Sequence, residues 1–134
     1  MIVSIIIPVY NEERYIEKLL KSVNEIKNID KEIIIVNDNS SDNTKKIIEN
    51  NCKNLYSKLI NNENNMGKGF SCRKGIEVSV GDVVIIQDAD LEYNPQNYID
   101  LIKPIKDNIA EVVYGSRVLP GGKRTRPKTI DFKI

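Results

Sequence analysis

The chain has 134 residues, of which 40% are hydrophobic and 29% are charged, a composition typical of one globular domain. It contains no histidine, so a Ser-His-Asp triad, a Cys-His pair and a histidine-ligated metal are all excluded. Its net charge of +1 is unevenly distributed: residues 1–119 carry 15 basic and 18 acidic groups, whereas residues 120–134 carry five basic groups and one acidic group.

The cellular compartment is predicted from the small number of cysteines and from the short apolar runs of the sequence. Two cysteines are too few for a disulfide framework or a zinc site, and the apolar runs are far shorter than the roughly 20 residues that cross a bilayer. We therefore expect a cytoplasmic protein that neither crosses a membrane nor is exported. The basic segment 120–134 is expected either to be a solvated tail or to make a peripheral contact with anionic lipid at the cytoplasmic face.

Apolar runs that alternate with apolar residues at helical spacing predict five strands separated by helices. In chain order the strands are expected at residues 2–9, 33–36, 58–61, 83–86 and 112–114. Helices are expected at about 12–26, from the turn at 39–42 through Ile48, at about 70–80, and from Pro95 through Ile102. This order and its short connections predict an α/β fold with a largely parallel sheet and flanking helices.

Polar clusters follow four of these strands, at residues 10–12, 37–42, 87–92 and 116–117. Ligands of parallel sheets bind outside the carboxyl ends of the strands. The four clusters are therefore expected to form one site.

Asp88 and Asp90 stand one residue apart directly after a buried strand. Two carboxylates in that position can approach a hard divalent cation such as Mg²⁺ or Mn²⁺. A pair of this kind also arises by chance, so a turn with solvated acids is the alternative.

Three further side chains have both a binding interpretation and a plainer one. Asp38 can accept an N–H of a nucleobase, with Tyr10 stacking beside it, yet turn and capping chemistry also explains Asp38. Lys68, ahead of a helix, can help to bind a diphosphate, or it is a solvated loop lysine. Arg117 can bind a phosphate with two hydrogen bonds, or it belongs to a surface ion pair. The Walker and G-x-G-x-x-G patterns are both absent.

Five segments in this order closely resemble family 2 glycosyltransferases, particularly the dolichol-phosphate mannosyltransferases and their bacterial and archaeal relatives. The segments are residues 4–13, 35–44, 67–69, 87–92 and 114–117. The resemblance covers about residues 3–122 and implies a nucleotide-diphospho-sugar transferase fold of the GT-A type. Relatives continue well past the Gly-Ser-Arg segment, so the C-terminal part of the domain is expected to be missing.

The resemblance also implies a role for each matching residue. Substrate binding is implied for Pro8, Tyr10, Glu12 and Asp38 around the nucleoside, for Lys68 beside the donor, and for Ser116. Catalysis is implied for Asp88, Asp90 and Arg117, of which Arg117 would bind the acceptor's phosphate. The metal, Mg²⁺ or Mn²⁺, would be held by Asp88 and Asp90 with Glu92.

This sequence departs from the family pattern at two positions of the expected site. Asn37 replaces the first residue of the usual Asp-Asp pair, and Glu92 stands where close relatives often have Gln. In domain terms, residues 1–119 are expected to be the N-terminal part of a nucleotide-sugar-binding domain and residues 120–134 a basic tail.

The function implied by the resemblance is metal-dependent transfer of a sugar, with inversion, from a nucleotide-diphosphate sugar to a polyprenyl phosphate. A phosphate monoester is already anionic at neutral pH and can attack without a protein base, which fits a chain without histidine. No nucleic acid partner is expected. Three alternatives stay open: transfer to a sugar hydroxyl in polysaccharide synthesis, a noncatalytic donor-binding fragment, and a phosphoacceptor domain. The first strand ends in Pro-Val-Tyr rather than acids, which disfavours the phosphoacceptor domain.

Overall fold

The computed structural model describes residues 1–116 and 131–133, in two compact units, Met1–Leu91 and Glu92–Ile134. The first unit contains a parallel sheet of four strands in the order β3-β2-β1-β4. They are β1 (Ile2–Val9), β2 (Asp30–Asn37), β3 (Lys58–Asn61) and β4 (Val83–Ile86). The predicted α/β fold with a parallel sheet is confirmed.

Continuous Ile and Val runs make β1 and β2 the centre of this sheet. The two strands pair in parallel from Ile2 opposite Asp30 to Val9 opposite Asn37, and nearly every residue is buried. Strands covered on both faces need apolar residues at successive positions, which is why these runs do not alternate.

Three helices of the first unit connect the strands: α1 (Ile16–Glu25), α2 (Thr44–Asn51) and α3 (Lys68–Glu77). The apolar residues of α1 recur at the spacing of one helix face, and all four are fully buried: Ile16, Leu19, Leu20 and Val23. The sequence predicts a buried apolar stripe that also includes Tyr15, but Tyr15 precedes α1 and is 40% exposed.

Strand β4 forms where it was predicted, but it is not fully buried. Val84 is 37% and Ile86 is 42% exposed. Within the described residues β4 pairs with β1 alone, and its burial alternates along the strand. The four apolar residues of β4 gave no indication in the sequence that part of the strand is exposed.

The buried carboxylate of Glu32 joins several segments at the amino end of the sheet. Ser4 Oγ donates to Glu32 Oε1 at 2.5 Å, and the Val80 N–H donates to the same oxygen at 2.6 Å. The Gly81 N–H donates to Ser4 Oγ at 2.9 Å, and Lys58 Nζ lies 3.5 Å from Glu32 Oε2. Burial raises the pKa of Glu32, but these hydrogen bonds and the Lys58 charge outweigh it and leave the pKa below its ordinary value.

The second unit contains a short 3₁₀ turn (Pro95–Asn97), α4 (Tyr98–Lys106), and two antiparallel strands, β5 (Tyr114–Ser116) and β6 (Asp131–Lys133). The fifth strand therefore begins two residues later than predicted, and it belongs to a two-stranded sheet rather than to the parallel one. Val112, the first residue of the predicted fifth strand, is 58% exposed. No helix within the described ranges is long and apolar enough to cross a membrane.

Candidate functional site

A cavity of about 250 Å³ lies at the carboxyl end of the parallel sheet in the first unit. It is lined by Pro8, Val9, Tyr10, Glu12, Asp38, Lys68, Ser71, Asp88, Ala89 and Asp90. Seven of these ten residues were singled out from the sequence. They come together because parallel strands place their carboxyl ends at one edge of the sheet.

The loop after β1 is fixed against the loop after β2. Asn11 turns the chain with a positive φ of 51°, and its Oδ1 accepts the Ser41 N–H at 2.8 Å. The Glu12 N–H donates to the buried Thr44 Oγ1 at 2.9 Å. These contacts set the backbone of Glu12 at the cavity, beside the half-exposed Tyr10.

Asp38 organises a loop that is distant in sequence. Its carboxylate accepts the Met66 and Gly67 N–H groups, each at 2.8 Å, and the Asn62 amide at 2.9 Å. Burial raises its pKa, but the hydrogen bonds from Met66, Asn62, Gly67 and Ser71 outweigh it and hold the pKa below the ordinary value. If Asp38 were only a turn or capping residue, its hydrogen bonds would lie within residues 37–42. The Asp38 carboxylate instead holds the chain just before α3.

The side chain of Asn37 forms hydrogen bonds with other side chains of the protein. Its Nδ2 donates to Asn61 Oδ1 at 2.9 Å, and its Oδ1 accepts the Ser40 hydroxyl at 2.6 Å. An aspartate here would lack the donor for Asn61, so the departure from the family pattern is matched by a neighbouring side chain.

An acidic group of side chains faces an ammonium in the cavity. Lys68 Nζ forms an ion pair with Asp88 Oδ1, and Glu12 lies near Asp88 and Asp90. Burial and the charges of Asp90, Asp42 and Asp88 raise the pKa of Glu12. The cavity therefore carries negative charge that a cation can neutralise.

The donor set fits a hard divalent cation that shares its ligands with a bound molecule. Asp88 and Asp90 supply carboxylate oxygens, and Mg²⁺ is usually held by one or two carboxylates together with waters and phosphate oxygens. In the part of the chain that the structure describes, no group of three or more His, Cys, Asp or Glu side chains could hold a metal ion by itself. A metal at this pair would need oxygens from the ligand.

Three predicted site residues are not placed at this cavity. Ser116 lies in β5 of the second unit, Glu92 begins that unit, and Arg117 lies outside the described residues. Their roles stay predictions. The domain boundary at residue 119 and the role of the basic tail also stay predictions. Residues 120–130 of that tail lie outside the described residues.

Sequence reasoning missed Asn62 and Ser71, which bond to each other at 3.0 Å beneath the loop held by Asp38. Both are buried, Asn62 at 9% and Ser71 at 0% exposure. Asn62 stands in an Asn-rich stretch, where nothing distinguishes it from its neighbours.

Comparison with solved structures identifies the fold type of the protein. The chain superposes on S. aureus TarS 1-349, solved with UDP-GlcNAc, with a TM-score of 0.73 and 26% identity, covering 93% of this chain and 37% of the TarS 1-349 chain. It superposes on the mannosyltransferase PcManGT of Pyrobaculum calidifontis, solved with GDP-Man and Mn²⁺, with a TM-score of 0.68, covering 87% of this chain and 35% of that protein. The second pair is 21% identical, which supports the fold alone. The fold is the GT-A type.

The family follows from the sequence. The model of the family described as Glycosyl transferase family 2 matches residues 4–132, so the chain belongs to this family. It is 34% identical over 124 residues to a dolichol-phosphate mannosyltransferase of Pyrococcus furiosus, covering 92% of this chain and 35% of that protein. The family resemblance is confirmed, and the chain spans about a third of the length of the Pyrococcus protein, of PcManGT and of the TarS 1-349 chain.

Proposed function

We propose that this chain is the donor-binding part of a metal-dependent glycosyltransferase that moves a sugar, with inversion, from a nucleotide-diphosphate sugar to a polyprenyl phosphate. One observation carries the proposal: the acidic pair Asp88 and Asp90 lines the same cavity as Tyr10, Glu12 and Asp38. A nucleotide-diphosphate ligand needs both a cation site and an adjoining pocket for its nucleoside.

The nucleoside half of the donor lies along Pro8, Tyr10 and Asp38 in this proposal. Tyr10 is 50% exposed, so its ring is available to stack on a base. Asp38 lines the pocket and holds the loop that precedes α3. The TarS structure with UDP-GlcNAc supports a nucleotide-sugar donor in this fold.

The diphosphate lies between the acidic pair and the start of α3. Lys68 is the first residue of α3, and a helix N-terminus together with an ammonium favours a phosphate group. Asp88 and Asp90, with Glu92 as the predicted third ligand, would hold Mg²⁺ or Mn²⁺ against the diphosphate oxygens. A bound cation would stabilise the charge that develops on the leaving diphosphate.

The acceptor is a phosphate on a polyprenyl chain in this proposal, with Arg117 and Ser116 as its predicted contacts. The name of the Pyrococcus relative supports a dolichol-phosphate acceptor. Because such a phosphate is anionic at neutral pH, it can attack the anomeric carbon without a protein base. We place the protein in the cytoplasm with a peripheral contact at the membrane surface, where residues 120–134 would meet anionic lipid.

The test is calorimetry of UDP and GDP binding with and without Mn²⁺. We expect Asp90→Ala to abolish the metal-dependent part of nucleotide binding while leaving the fold intact. Asp30→Ala, which removes an exposed carboxylate at the other end of the sheet, should bind as the parent does. Unchanged metal-dependent affinity in Asp90→Ala would refute the cation site.

Transfer itself is tested with labelled donor and dolichyl phosphate. Glycosylated lipid would support the proposed reaction, whereas donor binding without product would favour a noncatalytic donor-binding fragment. Product formed on an oligosaccharide hydroxyl but not on the lipid phosphate would favour polysaccharide synthesis.

A further inference from the structure

Asn62 joins the end of the parallel sheet to the start of α3. Its main-chain N–H donates to the Asn37 carbonyl oxygen at 2.9 Å, at the point where the pairing of β2 with β3 ends. Its side-chain Nδ2 donates to Asp38 Oδ1 at 2.9 Å and to Ser71 Oγ at 3.0 Å. An amide nitrogen carries two hydrogens, so each of them has an acceptor within the protein. Asn62 thus connects one strand end to two other segments.

Helix α3 packs closely on the sheet, which brings its first turn within reach of Asn62. The two buried residues of α3 are small, Ser71 and Gly75. A Cβ atom at Gly75 would overlap the Ile6 side chain of β1, so a larger residue there would force the helix or Ile6 to move. The Ser71 hydroxyl therefore lies close enough to bond with a side chain that follows β3.

The chain just before α3 is held by the same group of side chains. Asp38 accepts the N–H groups of Met66 and Gly67, each at 2.8 Å. Gly67 has a positive φ of 90°, which residues other than glycine rarely adopt. The Asn62 amide donates to the same Asp38 oxygen that accepts the Met66 N–H, and it thereby orients the carboxylate. Losing this amide would loosen both the turn and the start of the helix.

The loop after β1, on the nucleoside side of the proposed site, is held by different contacts. Asn11 Oδ1 accepts the Ser41 N–H at 2.8 Å, and the Glu12 N–H donates to Thr44 Oγ1 at 2.9 Å. Asn62 takes part in neither contact. Losing the Asn62 amide should therefore disturb the side of the cavity near α3 and leave the loop after β1 in place.

We propose that Asn62 is a positioning residue for the donor's diphosphate. Through Asp38 and Ser71, it holds the Met66–Gly67 turn and the first turn of α3 where the diphosphate binds. This inference rests on the proposed function, because it assumes a nucleotide-diphosphate ligand beside α3. Asn62 is 9% exposed and does not line the cavity, so it acts through these neighbours rather than by touching the ligand.

The experiment compares UDP and uridine binding to the parent and to Asn62→Ala. Calorimetry with Mn²⁺ measures UDP, or GDP if the parent prefers it, and nuclear magnetic resonance titration to millimolar concentration measures the matching nucleoside. We expect UDP to bind about three- to tenfold more weakly, the effect of losing roughly one hydrogen bond, and uridine affinity to change by less than about twofold. Amide hydrogen exchange without nucleotide should show reduced protection of Met66 and Gly67.

The control is Asn24→Ala, which removes another asparagine that makes two side-chain hydrogen bonds. Asn24 Nδ2 donates to the carbonyl oxygens of Leu20 and Leu55, each at 2.8 Å, and Asn24 does not line the cavity. This variant should lose stability without a change in UDP affinity. Asn62→Ser is the second variant if Asn62→Ala does not fold: serine keeps a hydroxyl but cannot make both bonds, so the same shift should appear at smaller size.

The outcomes separate this inference from the proposed function. If the Asn62 variant binds UDP as tightly as Asn24→Ala does, Asn62 only stabilises the fold and the positioning role is wrong. If uridine affinity falls as much as UDP affinity, Asn62 acts on the whole cavity and the role toward the diphosphate is wrong. If the parent binds neither UDP nor GDP with Mn²⁺, the proposed function fails and the positioning role fails with it, while hydrogen exchange still shows whether Asn62 holds the turn.

Discussion

The two ends of the parallel sheet use carboxylates in opposite ways. At the amino end, Glu32 accepts hydrogen bonds from Ser4 and Val80 and lies near Lys58, and its pKa is below the ordinary value. At the carboxyl end, burial and neighbouring carboxylates raise the pKa of Glu12. A lowered pKa marks an acid whose charge the protein already stabilises. A raised pKa marks an acid whose charge is disfavoured by burial and by neighbouring carboxylates.

Asp38 shows that position alone does not decide which kind of acid a residue is. It follows β2 at the carboxyl end, yet its contacts and its lowered pKa resemble those of Glu32. The donors around a carboxylate, rather than its place at a strand end, separate structural acids from acids available to a ligand. Changing each acid to its amide should therefore give three different results.

Asp38→Asn should have the largest effect, a loss of about 2 to 3 kcal/mol of unfolding free energy. Oδ1 accepts from Asn62 and Met66 while Oδ2 accepts from Gly67, so an amide nitrogen at either position faces a donor. The two main-chain N–H groups cannot turn away to water as a side chain can. Urea unfolding at pH 7 measures the loss.

Asp30→Asn is the matched control for this variant, because Asp30 is exposed at the start of the same strand. Amide hydrogen exchange adds a local readout, since protection of Met66 and Gly67 should fall in Asp38→Asn. Equal unfolding free energies for Asp38→Asn and Asp30→Asn would remove the structural role assigned to Asp38.

The contrast also shows why parts of the molecule could be predicted from the sequence. Uninterrupted Ile and Val runs identify β1 and β2, since only strands covered on both faces need them. Parallel pairing then brings Tyr10, Asp38 and Asp88 to one edge of the sheet, so their proximity follows from topology.

What the sequence could not reveal depends on contacts between distant residues. The bond from Asn62 to Asp38 crosses from one loop to another, and no local pattern distinguishes Asn62 from the other asparagines near it. The exposure of Val84 in β4 and of Val112 before β5 likewise depends on what packs against each segment rather than on its residues. Apolar runs predict that a strand exists more reliably than they predict its neighbours.

Glu32→Gln should have a smaller effect, a loss of about 1 kcal/mol at pH 7. The amide oxygen can still accept from Ser4 and Val80, whose donors both meet Oε1. Only the Lys58 side opposes the new N–H₂ group, and the Lys58 side chain is 40% exposed and can turn to water. Thermal and urea unfolding of parent and variant measure the difference.

The pH dependence of Glu32→Gln is part of the same prediction. Because the folded pKa lies below the ordinary value of 4.5, the unfolded chain binds more protons in acid, and the stability due to the charge is present above pH 4.5. It is lost as the pH falls through the folded pKa. The difference between parent and variant should therefore shrink in acid, and a difference that is constant from pH 7 down to about pH 3 would contradict the assignment.

Glu12→Gln should give the smallest effect, and with the opposite sign: a gain of up to about 0.5 kcal/mol at pH 7 with divalent metal removed by a chelator. A folded pKa above 4.5 means that the native state binds more protons than the unfolded chain, so the charge of Glu12 destabilises the fold as the pH rises through that window. The amide removes this repulsion from Asp90, Asp42 and Asp88, and the gain should vanish below pH 4.5, where both side chains are neutral. Thermal unfolding at both pH values measures it, with Glu25→Gln at the exposed end of α1 as the control. A loss of stability at pH 7 would place Glu12 with Glu32 and Asp38 among the acids that the protein itself satisfies. A gain equal to that of Glu25→Gln would contradict the specific repulsion assigned to Glu12.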